Sequence, residues 1–203
     1  VAEMKIFPYV LPNLRVQNSD LKIELLSLNN TEQIKLLKKG DLDVTFTRQN
    51  LNSDEIESLF VLREPLIFIL PENHPLAKYE RIPVKALHGV DFIIPAAEQS
   101  LTLHNTILEF AKTHGIEFNI VQKADNILFN INSIGMGLGC TILPGYVAPL
   151  TMKNTVIRAL DVELPYLDLY VSYHKNSSSS AVHKFVELLT HVFYLNINRN
   201  SAI

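Results

Sequence analysis

One segment, residues 30–48, limits the possible folds more than any other, because it contains a helix and a strand with clear boundaries. Asn30 can accept a hydrogen bond from the first-turn amides, and Gln33 can reach back to the Asn30 amide, as in a capping box. Gly40 follows the last apolar residues of the helix and predicts a left-handed cap there. Residues 43–48 then alternate between polar and apolar, which predicts a strand with one buried face.

The turn before this helix, residues 28–31, is a candidate anion site. The first amides of a helix have no partner within the helix, and they lie at the positive end of its dipole. A carboxylate could therefore bind at Asn30 and Thr31 if the helix begins at the edge of a sheet. The alternative is that these two residues cap the helix and bind nothing.

Helical and strand patterns alternate along the whole chain. The predicted helices cover residues 1–15, 30–39, 83–87, 101–114, 126–136 and 182–193, whereas the predicted strands cover residues 21–28, 43–48, 59–62, 66–70, 91–94, 118–121, 140–143 and 167–173. This alternation predicts an α/β fold with mostly parallel sheets and helices on their faces. No strand precedes the first helix, which indicates that the natural protein continues upstream of Val1.

A polar segment, residues 71–81, divides this series, because it contains two prolines and has no periodicity. We therefore expect two lobes, with residues 1–70 and 169–203 in lobe I and residues 71–168 in lobe II. The chain would then cross between the lobes twice. Ligands of open α/β sheets bind beyond the carboxyl ends of the strands, so we expect the site in the cleft between the lobes.

A second polar segment, residues 96–105, also joins a predicted strand to a predicted helix. Ser100 and Thr102 can both cap this helix, and both offer hydroxyl groups to a ligand. If the two lobes face each other, this turn and the turn before residue 30 would meet across the cleft. The alternative is again that both turns only cap their helices.

Composition and charge exclude several classes of protein. The formal net charge is −3 and no basic cluster is interleaved with aromatic residues, so we predict no direct contact of this segment with nucleic acid. No apolar run approaches the length of a membrane span, and no leader signals secretion. The single cysteine, Cys140, cannot form an internal disulfide, which fits a reducing cytoplasm, and its apolar neighbours predict a position in the core.

Motifs for catalysis, metals and cofactors are not found in the sequence. Residues 135–139, GMGLG, follow a predicted helix and precede a predicted strand, whereas a phosphate-binding loop must follow a strand and open a helix. We interpret them as a helix end and a tight turn. The histidines show no metal-ligand spacing, and no serine or cysteine lies in a nucleophile elbow. The sequence therefore predicts neither an enzyme nor a bound cofactor or metal.

Three segments in this order and spacing resemble a known family. The runs NTEQIKLLKKGDLDVTF, PLIFILPENHPLA and GMGLGCTILP are similar to the effector-binding domain of LysR-type transcriptional regulators. They resemble in particular the branch that senses aromatic acids such as benzoate, muconate or hydroxycinnamates. The resemblance implies a two-lobed fold like the type 2 periplasmic binding proteins, with two crossover strands. It also implies a first strand just before Val1 and an N-terminal winged helix-turn-helix, both outside this chain.

In this family the effector lies between the lobes, and the resemblance therefore implies a set of site residues. These are Met4, Lys5, Asn30, Thr31, Arg48, Ser100, Leu101, Thr102 and Leu103, to which we add Phe7 as a contact for the ring of the ligand. Lys5 would suit a carboxylate, whereas Leu101 and Leu103 would suit an aromatic ring. Arg48 has a structural alternative, which is an ion pair with Glu64.

The leading hypothesis is an effector-sensing and oligomerising module of a bacterial transcription regulator. A small aromatic carboxylate would bind one arrangement of the lobes better than the other and so control genes of aromatic catabolism. We expect side-by-side dimers or tetramers in the cytoplasm, with association surfaces in residues 4–15 and 44–62. DNA would be contacted only by the domain outside this chain.

Two other classes compete with this hypothesis. A periplasmic solute-binding protein for a small organic anion would share the cleft, but it would be an exported monomer. An enzyme on a similar two-lobed frame would need a catalytic acid or nucleophile, which the sequence does not reveal.

Overall fold

The computed structural model describes residues 1–17 and 20–200. Its helices are α1 (Ala2–Lys5), α2 (Phe7–Gln17), α3 (Asn30–Lys39), α4 (Leu101–Thr113), α5 (Ile127–Gly135) and α6 (Ser180–Asn200). Its strands are β1 (Val44–Thr47), β2 (Ile56–Pro71), β3 (Arg81–Ile82), β4 (Asp91–Pro95), β5 (Asn119–Ala124), β6 (Thr141–Pro144), β7 (Thr155–Leu160) and β8 (Tyr166–His174). Short 3₁₀ helices cover Pro75–Lys78, Val84–Leu87 and Gly145–Leu150.

The chain forms two compact units. Unit 1 contains Val1–Arg63 and the chain from Asp168 onward, and unit 2 contains Glu64–Leu167. The chain therefore leaves unit 1 within β2 and returns to it within β8. The predicted passage between the lobes, residues 71–81, lies inside unit 2.

Unit 1 is built on strands that pair across long sequence separations. β1 pairs antiparallel with β8, which is also the neighbour of β2. Ser58 on β2 and Ser172 on β8 are buried and share a hydrogen bond of 2.8 Å between their hydroxyls. Apolar residues of α2, β2, β8 and α6 form the core, which contains Ile6, Val10, Leu14, Val61, Leu169, Val171, Phe185, Val186 and Leu189.

The N-terminal part of unit 1 differs from the sequence prediction in two ways. The single helix predicted over residues 1–15 is two helices, because Ile6 leaves the regular helical geometry with φ −118° and ψ −60°. Residues 21–28 have no regular secondary structure and form no strand ladder with the described residues. Alternation of side chains predicts which face is buried, but a ladder also needs a neighbouring backbone, and none is paired here.

The start of α3 lies one residue from its predicted position. Asn29 is the N-cap, and its side chain accepts a hydrogen bond of 2.9 Å from the Glu32 amide, so Asn30 is the first helical residue. The predicted capping box is wrong, because the Gln33 amide group donates to the Leu28 carbonyl at 2.9 Å instead. Two consecutive asparagines are equally able to cap, so the sequence does not distinguish them. The predicted left-handed C-cap is confirmed at Gly40, where φ is +78°.

The sheet of unit 2 is built around the second half of β2. β6 and β7 pair with it on opposite edges, both antiparallel, and β3 extends the sheet in parallel beside β7. β4 pairs in parallel with β5 and is joined to the β6 side by a bridge between Phe92 and Cys140. The described sheets are therefore mixed rather than mostly parallel as predicted. The reason is that β2, β6 and β7 meet as antiparallel neighbours, a relation that helix and strand patterns do not encode.

β2 is one strand of 16 residues, although the sequence predicts two short ones separated at Pro65. Proline lacks an amide donor and usually interrupts a ladder. Pro65 is tolerated because it precedes Leu66, the residue at which pairing with β6 begins. Phe68, Ile69 and Leu70 in the following apolar run are fully buried.

The region after α5 confirms that residues 135–139 are a helix end and a turn. α5 ends at Gly135, and Gly137 has φ +78°. Cys140, just before β6 begins, forms backbone hydrogen bonds with β4. The cap of α5 is Asn126, because the Asn126 side chain accepts a hydrogen bond from the Phe129 amide at 2.8 Å, so the helix begins one residue later than predicted. Cys140 is fully buried as predicted, and burial raises the pKa of its thiol to about 12.

β7 is not predicted from the sequence, because its apolar and polar residues follow a long segment without helix or strand signals.

A transmembrane span is not found among the helices of the described residues.

Candidate functional site

The first group of predicted site residues lies at the start of unit 1. Met4 and Lys5 are half-buried residues of α1, and their amides both donate to the Val1 carbonyl, at 3.2 and 2.9 Å. The chain turns at Ile6 directly after them and enters α2. These residues thus form a short helical turn rather than a strand end.

Asn30 and Thr31 form the first turn of α3, the second part of the predicted site in unit 1. Asn30 is half-buried and Thr31 is exposed. The Asn29 cap satisfies the Glu32 amide with its side chain and the Gln33 amide with its carbonyl, at 3.0 Å. The amides of Asn30 and Thr31 precede these and lie where a helix supplies no partner of its own. The geometry therefore keeps this helix start suited to an anion.

Gln33 and Thr45 hold the start of α3 in place through side-chain hydrogen bonds, and the sequence does not reveal this role. The Thr45 hydroxyl donates to the Gln33 side-chain carbonyl, while the Gln33 amide group holds the Leu28 carbonyl. Thr45 is buried in β1. This relay fixes the turn before α3 to the neighbouring strand. Thr45 and Thr47, two threonines on the same face of β1, are both buried. Their alternation in the sequence is the signal that could have indicated a polar contact there.

Phe7 lies in the apolar interior of unit 1. Its ring meets Phe46 edge to face with centroids 5.8 Å apart, and Phe46 meets Phe185 in the same manner at 6.1 Å. Phe7 also lines a cavity of about 440 Å³ within unit 1. Residues 21–28 and 42–46 are among those that line the cavity.

Arg48 directly follows β1 and lies in a cluster of charged residues in unit 1. Arg63 and Asp168 form a bidentate ion pair there, with nitrogen-to-oxygen distances of 2.7 and 3.0 Å. The hydrogen bond from Arg63 holds the pKa of Asp168 below its usual value, and the charges of Arg63 and Arg48 act in the same direction. Arg48 therefore contributes positive potential near this carboxylate.

The predicted site residues of unit 2 lie at the start of α4. Ser100 is confirmed as the N-cap, since its hydroxyl accepts from the Leu103 amide at 3.4 Å. Leu101 is 53% exposed, Thr102 is half-buried, and Leu103 is buried in the core of unit 2. Leu101 thus offers apolar surface to a ligand, whereas Leu103 packs inward.

His104 connects the end of β4 to α4, and sequence reasoning does not identify it. Its Nδ1 lies 2.8 Å from the Pro95 carbonyl oxygen, so the imidazole ties the helix start to the strand end. The two residues are nine positions apart, a separation at which no local pattern predicts a contact. His104 therefore positions the Ser100–Thr102 turn without being part of it.

Asn130 is the other polar residue that the sequence does not single out. It is 1% exposed on α5, and neither its side-chain oxygen nor its side-chain nitrogen has a hydrogen-bond partner within the described residues. Buried amides without partners are uncommon and destabilising. Among the described residues no group of His, Cys, Asp or Glu could hold a metal ion.

Comparison with known proteins establishes the family. Residues 2–193 match the family model described as LysR substrate binding domain. The chain belongs to this LysR family. A curated relative in Escherichia coli (strain K12), the Hca operon transcriptional activator HcaR, is 35% identical over 188 residues, which are 93% of this chain and 64% of that protein. The chain thus spans less than two-thirds of the length of this LysR relative.

Solved structures of LysR effector-binding domains share the fold. The BenM effector binding domain with its effector benzoate has a TM-score of 0.80 at 16% identity and covers 96% of this chain and 89% of its own. The QuiR effector binding domain in complex with shikimate has a TM-score of 0.81 at 19% identity, and the match covers 96% of this chain and 93% of the QuiR chain. The predicted fold class, like the type 2 periplasmic binding proteins, is therefore confirmed.

Proposed function

We propose that this chain is the effector-sensing module of a LysR-type transcription regulator and that it binds a small aromatic carboxylate. The observation that carries the proposal is a pair of polar helix starts, one in each unit. Asn30 and Thr31 open α3, and Ser100 caps α4 two residues before Thr102. Each start combines first-turn amides, which a helix leaves without an intrahelical partner, with polar side chains, and this is the chemistry that binds a carboxylate.

The ring of the effector would contact the apolar surface beside these polar groups. Leu101 is exposed next to Ser100, and Met4 and Lys5 lie half-buried in unit 1. The Lys5 ammonium would add a charge-assisted hydrogen bond to the carboxylate. Benzoate and shikimate, which the BenM and QuiR structures contain, are both six-membered rings that carry one carboxylate. Their shared chemistry supports a ring carboxylate as the ligand class.

Sensing requires that the ligand favour one arrangement of the units over another, because only differential affinity shifts an equilibrium. In the complete regulator, DNA-binding domains outside this chain would read that shift and control genes of aromatic catabolism. The name of HcaR, a transcriptional activator, supports this role for the longer protein.

Binding can be tested with a small set of acids. Benzoate, cis,cis-muconate, a hydroxycinnamate and shikimate would be screened by thermal shift, since a ligand that binds only the folded state raises the melting temperature. We expect at least one ring carboxylate to stabilise the chain, and calorimetry with that acid then gives its Kd. Absence of stabilisation by all four at millimolar concentration would contradict the proposed ligand class.

Substitutions at the two helix starts test the site itself. We expect Asn30→Ala and Thr102→Ala each to weaken binding about 10-fold or more, because a hydrogen bond to a charged group contributes roughly 1.5–3 kcal/mol. Asn30→Ala leaves the Asn29 cap of α3 in place, so the fold should persist. Thr113→Ala is the matched control, since Thr113 is exposed at the other end of α4. If both variants bound the acid with the same Kd as the Thr113→Ala control, Asn30 and Thr102 would be excluded from the site.

Self-association would use exposed apolar residues of α2, which overlaps the predicted surface of residues 4–15 and extends beyond it by Val16 and Gln17. Val16 and Tyr9 of α2 are 86% and 60% exposed. We expect Val16→Asp to shift sedimentation of the chain from dimer towards monomer, because burial of a carboxylate in an apolar interface is costly. Val121→Asp on β5 of unit 2, where Val121 is 46% exposed, is the control outside this surface. A chain that sediments identically with and without the Val16 change would rule α2 out of the interface.

A further inference from the structure

A second pocket lies in unit 2, and its residues differ from those assigned to the effector. This unit 2 pocket has a volume of about 380 Å³ and is lined by residues 77–80 and 157–159. The first segment ends the 3₁₀ helix Pro75–Lys78 and leads to β3, whereas the second is part of β7. Sites for small molecules usually have volumes of about 300–1,000 Å³, so the unit 2 pocket is large enough to hold one.

Arg158 joins the two segments that line the unit 2 pocket. Its Nε donates to the Ala77 carbonyl at 3.0 Å, and its Nη1 donates to the Ile157 carbonyl at 3.1 Å. The Arg158 side chain is half-buried, so these two bonds hold the guanidinium in one orientation. A guanidinium has five N–H donors in a fixed plane. Three of the five donate no hydrogen bond within the described residues and remain available to a ligand.

Lys78 brings a second positive charge to the pocket. Its Nζ lies 5.4 Å from the centroid of the Tyr79 ring, which is a cation–π distance. Neither Lys78 nor Arg158 forms an ion pair with a carboxylate in the part of the chain that the structure describes. Two positive charges without an anionic partner line one pocket, so its chemistry favours an anion with more than one negative charge.

The other lining residues restrict the class of this anion. Glu80 is exposed at the pocket and can accept hydrogen bonds from the hydroxyl groups of a ligand, while it repels a second anionic group. Ile157 and Ala159 are exposed on β7 and offer apolar surface, as does the ring of Tyr79. The matching ligand has one strongly charged group, several hydroxyl groups and a compact carbon skeleton.

From these contacts we infer that the unit 2 pocket is a second ligand site, which binds a sugar phosphate. A phosphate monoester carries nearly two negative charges at neutral pH, and these match Lys78 and Arg158. Its oxygens accept the parallel N–H groups of a guanidinium, a geometry that a planar arginine provides in advance. The sugar hydroxyls would donate to Glu80, and the sugar ring would cover the apolar surface of Ala159 and Tyr79.

Nuclear magnetic resonance of the isotope-labelled chain tests this inference, with glucose 6-phosphate as the probe. We expect saturable shifts of the Tyr79 and Ala159 amide signals, with a Kd in the millimolar range or tighter. Glucose at the same concentration and ionic strength lacks the phosphate and is expected to cause no shift of these signals. Absence of saturable shifts with glucose 6-phosphate, or equal shifts with glucose, would overturn the inference.

Charge substitutions separate a built pocket from general attraction. We expect Lys78→Gln and Arg158→Gln each to weaken glucose 6-phosphate binding about 10-fold or more, because each removes hydrogen bonds to a charged group. The matched control is Lys123→Gln, since Lys123 is exposed on β5 in unit 2 and does not line the pocket. Equal losses of affinity in Lys78→Gln and Lys123→Gln would show that only the overall charge matters, and the inference would be wrong.

The Lys78 variant keeps the test decisive if the Arg158 variant fails to fold. Arg158 bonds to two backbone carbonyls and supports the local structure, whereas the Lys78 ammonium is exposed and donates no hydrogen bond within the described residues. Lys78→Gln should therefore fold normally, and its affinity alone supports or contradicts the role of the pocket.

Glu80→Ala tests whether the pocket recognises the sugar as well as the phosphate. In the unchanged chain we expect inorganic phosphate to bind more weakly than glucose 6-phosphate, because it has no sugar hydroxyls or ring. Glu80→Ala removes both the repulsion of phosphate and the acceptor for the hydroxyls, so the two Kd values should approach each other. A ratio of Kd values that stays the same in Glu80→Ala would show that the sugar is not recognised there, and the assignment to a sugar phosphate would be wrong.

Discussion

Gly139→Ala is expected to lower the free energy of unfolding by about 3 kcal/mol or more, because overpacking a rigid backbone contact is costly. A Cβ atom at Gly139 would lie 2.7 Å from the Asp91 carbonyl oxygen and 3.0 Å from the Asp91 carbonyl carbon. No flexible side chain can move aside there, since both atoms belong to the backbone.

The neighbouring hydrogen bonds prevent the two segments from separating. The Cys140 amide donates to Asp91 and the Ile93 amide donates to Cys140, both at 2.8 Å. The Thr141 hydroxyl adds a buried hydrogen bond of 2.7 Å to the Ile93 carbonyl. A shift large enough to admit a methyl group would weaken these bonds, so the substitution costs stability whichever contact yields.

Gly137→Ala is the matched control for this prediction. Gly137 has φ +78°, but a Cβ atom there would meet nothing within 4 Å. Only the strain of a left-handed residue is expected, about 1 kcal/mol. Urea unfolding of the two variants separates close contact from backbone strain. Equal losses of stability would show that the approach of Gly139 to Asp91 is not the limiting contact.

Asn130→Leu is expected to raise the free energy of unfolding by about 1–3 kcal/mol, since a buried polar group without a partner costs that much. The Asn130 side chain is 1% exposed and both of its polar atoms lack partners within the described residues. Leucine has a similar shape, and Ile131 and Ile134 on the same helix are also buried. An apolar side chain thus suits this environment.

Asn132→Leu on the same helix provides the control, because Asn132 is exposed. Both substitutions change helix propensity in the same way. The difference between their free energies of unfolding, measured with urea, therefore reports burial alone. A loss of stability in Asn130→Leu with little change in Asn132→Leu would contradict the prediction. In that case the Asn130 amide binds a partner such as a buried water, which the substitution removes.

Elements governed by local contacts are predicted well from this sequence. α4, its Ser100 cap and the Gly40 cap of α3 depend on residues three to five positions apart, and each is found as predicted. The start of α3 is displaced by one residue, because Asn29 and Asn30 have the same capping chemistry. The buried apolar run of β2 is likewise recognisable, since burial on both faces leaves a continuous apolar signal.

Features that depend on distant partners are not predicted. The continuity of β2 through Pro65 and the mixed pairing of its sheet follow from neighbours about 80 residues away, such as Leu66 and Pro144. The same holds for the site: the helix starts are visible in the sequence, but the support that Gln33 and Thr45 give to α3, and His104 gives to α4, is tertiary. Residues 21–28 show the converse case, because their alternation is clear but they form no ladder with the described residues.

The single cysteine makes this protein convenient for labelling experiments. Cys140 is fully buried and its thiol has a pKa of about 12, so the reactive thiolate is scarce at neutral pH. A maleimide dye would therefore attach only to cysteines introduced at exposed positions, such as Lys35→Cys in unit 1 and Glu109→Cys in unit 2. Energy transfer between two such dyes would report the distance between the units in solution as a candidate carboxylate ligand is added. The native cysteine would not need to be replaced.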